Sequence, residues 1–143
     1  MKDRPLHVAV AHLSRQYDRL RGECAALRAE QRRMSDRIEE IDTDLERMRS
    51  VPTETATEEL ELRRHYNHHA AIAEQQKSVL RDSIDKIEAE RVRPLLAEIR
   101  VLATRKAALE KLIERRSTER RREELRREQA LMDEIAGRRH WMR

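Results

Sequence analysis

One periodicity constrains this chain more than any other feature. From Leu6, alternating steps of four and three residues land on Val10, Leu13, Tyr17, Leu20, Cys24, Leu27, Gln31, Met34, Ile38, Ile41, Leu45 and Met48. All but Gln31 are apolar or semi-apolar, in a chain whose hydrophobic fraction is 38%. A stripe kept up for about six heptads passes the three or four that identify a coiled coil, because a helix brings such residues onto one seam. Pro5 suits a first helical turn, where its missing N–H is no loss, and Pro52 falls at the next seam position, where a helix must stop. The first helix is predicted over about residues 5–50, roughly 70 Å at about 1.5 Å per residue.

The composition fits few, long elements. Two Gly and three Pro cannot supply many tight turns. Ala, Glu, Lys, Leu and Arg make up more than half of the chain, the signature of long helices rather than sheets. With Tyr17, Tyr66 and Trp141 as the sole aromatics, the core must be a thin seam and not a ball. No apolar run approaches the roughly 18 residues of a membrane span and no signal-peptide pattern opens the chain, so no membrane insertion and a cytoplasmic location are expected. The single cysteine, Cys24, has no internal partner, in keeping with a reducing compartment.

Ser50 to Glu58 reads as the one turn. Thr55 with Glu58 three residues on fits a capping box, so a second helix starts near residue 56. Its seam is less regular: Leu62, Tyr66, His69, Ala73, Gln76 and Leu80, then Ile84 and Ile87, then Val92, Leu95, Ile99, Leu102, Lys106, Leu109 and Ile113. The register slips by one residue at 84 and again at 92, which changes the supercoil locally. Pro94 follows the second slip, where its ring would clash with the carbonyl of Glu90. A kink is expected there rather than a second hairpin, since Arg91, Val92 and Arg93 include no turn former.

The predicted fold is all-α: one monomeric, antiparallel coiled-coil hairpin over 1–143, with helix one at about 5–50, a turn at about 51–55 and helix two at about 56–137. Folding back at this turn sets Met48 against Leu62 and Leu6 near residue 104. The segment 114–143 then protrudes without a partner in its own chain. In keeping, Glu114 to Glu124 contains no apolar residue, whereas Leu125, Leu131, Met132, Ile135 and Trp141 return apolar side chains to the protruding end. The seam itself is carried by Leu13, Leu20, Leu27, Ile38, Ile41, Leu45, Leu80, Leu95, Ile99, Leu102 and Leu109. Gln31 and Gln76 either meet in one polar layer that fixes register or lie at the seam edge with their amides in water.

The sequence bears on three chemistries. His65 and His69 stand at i and i+4 with His68 beside them, a spacing compatible with zinc, but no Cys or further His is near to complete four ligands, so no metal site is expected. There is no Gly-rich phosphate loop or nucleophile elbow, and a thin hairpin has no cleft in which to separate the pKa values of paired carboxylates. Neither catalytic residues nor a cofactor are expected, and the protein is read as non-enzymatic. Nucleic-acid binding would rest on Arg115, Arg116, Arg120, Arg121, Arg122, Arg126 and Arg127. The chain's net charge is only +4, the acidic residues are interleaved, and the basic stretch follows the heptads instead of preceding them as in a basic zipper. Direct nucleic-acid binding is therefore not expected.

The closing block Glu128-Gln129-Ala130-Leu131-Met132-Asp133-Glu134-Ile135-Ala136-Gly137-Arg138-Arg139 resembles the carboxy-terminal Q-x-x-M-D-E-x-A-x-R stretch of the FliJ family. These are coiled-coil stalk proteins of flagellar export, with YscO and HrpO counterparts in type III secretion. The resemblance implies a stalk similar to the gamma subunit of rotary ATPases, inserted by its terminal end into a hexameric export ATPase and contacting the export gate membrane protein nearer its turn. It implies a place peripheral to the inner-membrane export apparatus, with secretion chaperones as a further candidate partner. Matched position by position, Gln129, Met132, Asp133, Glu134, Ala136 and Arg138 are the candidate ring contacts. The aromatics expected near the turn of flagellar members are reduced here to Tyr66, which points to type III secretion. The alternative is a tethering coiled coil that dimerises in parallel, against which Pro52 and the Thr55 cap both argue.

Overall fold

The computed structural model describes residues 3–142, and these form an all-α hairpin of two long helices. Helix α1 spans Arg4–Arg49, α2 spans Ala56–Ile87, and α3 spans Arg93–Trp141. Between α2 and α3 the helix continues as a π-turn over Glu88–Val92. The chain divides into two compact units, one of Arg19–Ile99 and one of Met1–Asp18 with Arg100–Arg143.

Every a/d position named in α1, from Leu6 to Met48, is buried or half-buried. The strict heptad explains this, because no step in it carries a residue off the seam. Leu20, Leu27 and Ile41 are the deepest apolar residues of this helix, and burying a side chain of that size contributes about 1.5–3 kcal/mol. On the other helix Leu80, Leu95, Ile99, Leu102 and Leu109 are half-buried. The turn ends where Thr55, in an extended conformation, accepts a hydrogen bond from the Glu58 amide at 3.1 Å. The Glu58 carboxylate in turn accepts from the amide of Glu54 at 3.0 Å rather than from that of Thr55, so the cap is a capping box displaced by one residue.

Three sequence expectations need correcting. Lys77, not Gln76, takes the seam: it is 6% exposed, while Gln76 is exposed. The first slip therefore lies at residue 77, between Ala73 and Leu80, and Ile84 then follows in ordinary steps. A search for apolar residues passes over a lysine. Second, the facing register differs. Asp42 meets Lys77 and Gln31 meets Glu88, and in the other unit Asp3 meets Arg116 and Arg120. The residue just before α1 thus has partners past residue 114. Third, α3 does not end at Gly137 but runs on to Trp141, and Gly137 has an ordinary helical φ.

The second slip, at Val92, is where the π-turn lies. A π-turn holds one more residue than an α-turn, which is the one residue by which the seam is out of step. Its effect is to put Val92 on the seam with no exposed surface at all. The π-turn also brings the chain to Pro94 without a break in helical structure.

Candidate functional site

Within Arg19–Ile99, polar groups set the register. The Gln31 side-chain amide donates to the backbone carbonyl of Ile84 at 3.2 Å and to Glu88 Oε2 at 3.1 Å. Arg28 Nη1 donates to the same carboxylate at 2.6 Å and to Gln31 Oε1 at 3.1 Å. Hydrogen bonding from Gln31, with the charges of Arg28 and Arg93 nearby, holds the Glu88 carboxyl below its usual value against the opposing cost of burial. The polar layer considered for Gln31 and Gln76 thus exists, but its second partner is Glu88. Farther toward the turn, the Lys77 ammonium lies 2.7 Å from Asp42 and 2.7 Å from Glu74. Hydrogen bonds to those two carboxylates raise its pKa above the ordinary lysine value. Both clusters escaped the sequence reading. A search of the seam for apolar residues passes over both, because Lys77 and Glu88 are charged and neither falls on the regular count from Leu62.

The imidazoles of His65 and His69 meet edge-on with centroids 4.3 Å apart, and His68 lies 5.8 Å from His69. Among the described residues no group of three His, Cys, Asp or Glu side chains is arranged to hold a metal ion. Arg116 and Arg120, two members of the basic stretch, are engaged by Asp3.

The last arm of α3 is built differently. From Glu114 to Met142 every residue is exposed, and the ion pairs described beyond Arg120 are within the helix, Glu123 with Arg127 at 3.0 Å and Glu134 with Arg138 at 2.8 Å. From residue 121 to Trp141 the arm is about 30 Å of helix at about 1.5 Å per residue. Its apolar side chains are large and open to solvent: Met132 is 66% exposed, and Leu125, Leu131 and Ile135 are also exposed.

Helical geometry divides the six candidate contacts. Leu125, Met132 and Arg139 are seven residues apart and share a face, with Gln129, Ile135 and Ala136 within about 60° of it at 100° per residue. A shallow depression on this face is lined by Met132, Ile135, Ala136, Arg139 and His140. Asp133, Glu134 and Arg138 turn away from the stripe, and Glu134 and Arg138 satisfy each other. Gln129, Met132 and Ala136 are brought together on one surface. Asp133, Glu134 and Arg138 are not part of it.

Among the described residues no helix is long and apolar enough to cross a membrane. No curated protein and no solved structure gives a significant match. A family model described as "Flagellar FliJ protein" matches residues 3–143. An uninterrupted heptad seam, an antiparallel partner helix and an exposed apolar carboxy-terminal arm are carried on that matched span, and the chain belongs to the FliJ family of export-related coiled-coil proteins.

Proposed function

We propose that this protein is a non-enzymatic stalk of a type III secretion or flagellar export ATPase. It inserts the arm beyond Arg120 into the ring of the hexameric ATPase and directs its turn toward the export gate membrane protein, at the cytoplasmic side of the inner membrane. The observation that carries this reading is the arm itself. A helix that exposes Leu125, Met132 and Ile135 on one face while its charges pair along another is made to lay that face in a groove. Family membership supports the export setting. The paucity of aromatics near the turn supports the type III secretion branch, and Tyr66 there is half-buried. Secretion chaperones remain a further partner class of the same reading.

The mechanism rests on differential affinity. A helix in the centre of a ring shifts the balance of subunit states only if it binds some of them more tightly than others. The stripe then acts as a surface that one subunit conformation covers better than another. The parallel-dimer alternative has less support, because Asp42–Lys77 and Gln31–Glu88 pair the helices antiparallel within one chain.

Removing residues 125–143 tests the reading. The shortened protein should keep its helical hairpin and its melting temperature, since residues 125–142 are all exposed, and should lose stimulation of the purified export ATPase. Stimulation equal to that by the full chain would overturn it.

A further inference from the structure

The π-turn at Glu88–Val92 is bracketed on both sides. Before it, Gln31 of α1 grips the Ile84 carbonyl and the Glu88 carboxylate, and Arg28 grips Glu88 again. Within it, Ala89, Glu90 and Arg91 are exposed while Val92 is sealed in the seam. After it, the Arg93 amide donates to the Glu88 carbonyl, five residues back. Pro94 brings no N–H, so one carbonyl loses its donor here, that of Ala89 in a π-turn or that of Glu90 in an α-turn. The ladder of backbone hydrogen bonds is thus weakest over these residues, whereas α1 is helical without interruption from Arg4 to Arg49.

The seam fixes where the extra residue sits. Moving it toward the carboxy terminus would replace Val92 on the seam by Arg91. Moving it toward the amino terminus would replace Leu80 and Ile84 by Arg81 and Asp85. Each shift would bury a charge in place of an apolar side chain, at a cost no coiled-coil seam offsets without a partner. The insertion can neither migrate nor close while Val92 and Pro94 are present.

We propose that this turn is a yielding joint built into the second helix: one inserted residue, held in place by the Gln31 grip and by Pro94, at which the helix opens locally while the facing helix stays continuous. Single-turn π insertions recur at functional positions. The joint stands independently of the stalk reading, since it follows from the seam, the grip and the proline alone.

Amide hydrogen exchange on the full chain tests it. The amides of residues 89–93 should exchange about tenfold faster than those of residues 27–31 on α1, although Val92 is the most deeply buried side chain among the described residues. A variant that lacks Ala89 and carries Pro94→Ala restores the α-helical count and the missing donor. It should exchange uniformly through this segment and melt at the same temperature or higher. Uniform exchange in the native chain would overturn the proposal. So would a fast segment that persists in the variant, or a folded variant that melts lower. Should the variant fail to fold, the exchange ratio in the native chain decides alone.

Discussion

The unit Arg19–Ile99 and the arm beyond Arg120 are made of similar residues and put them to opposite uses. In the first, arginine, lysine and glutamate side chains reach across to the other helix: Arg28 to Glu88 and Lys77 to Asp42. In the arm, Glu123–Arg127 and Glu134–Arg138 close within one helix. Apolar residues divide in the same way, Leu27 and Ile41 being buried and Leu125 and Met132 exposed. The contrast teaches that charge content decides little in such a chain. What matters is whether a residue's heptad position has a partner helix opposite.

The sharpest way to break this contrast is to put a carboxylate on each region. Val92→Asp buries an unpaired charge at a side chain with no exposed surface, and should destabilise the hairpin by about 3 kcal/mol or more in denaturant unfolding. Met132→Asp in the arm should change stability by less than about 0.5 kcal/mol. Equal effects would mean that the arm is packed. Next in size, Leu27→Ala should cost about 2–3 kcal/mol by leaving a gap in the seam, against no measurable change for Leu131→Ala. Gln31→Ala removes the grip on Ile84 and Glu88 and should cost about 1 kcal/mol. Because the grip is local, the loss should appear in exchange rates of residues 84–92 before those of the turn.

The smallest effect is that of pH. The Glu88 carboxyl sits below its ordinary value near 4.5 in the folded chain, so the stability it contributes is complete above that value and is lost as pH falls through the folded pKa. Lys77, raised above its ordinary 10.5, contributes stability that is complete below that value and lost as pH rises through the folded one. Between these limits both contributions should be constant. The chain shortened after Glu124 should lose stability in acid to the same extent as the full chain, and a difference would place an acid-sensitive contact in the arm.

Much of the fold was legible because α1 obeys one rule from Leu6 to Met48 and all thirteen positions it names are buried or half-buried. The turn was legible from Pro52 and from Thr55 with Glu58. The second helix was read less well, and for a physical reason. Its contact surface admits Lys77 and Glu88, whose charges are met by Asp42 and Glu74 and by Arg28, with Gln31 adding a hydrogen bond to Glu88. Such partners are known only once the register is known. The slip at Val92 was visible as a count, but a count does not distinguish a kink from a π-turn. In the arm, the block from Gln129 to Arg138 was found by its residues, and its division into a stripe and a self-paired face needed only the helical angle.

The central claim is that the arm meets its partner through the stripe and not through its charged residues. Stimulation of the purified export ATPase by Met132→Asp, measured beside Glu134→Gln and with both melting temperatures checked, tests it directly. The account predicts at least a tenfold loss for Met132→Asp and near-native stimulation for Glu134→Gln, with both variants folded as the parent. Full stimulation by Met132→Asp would contradict it.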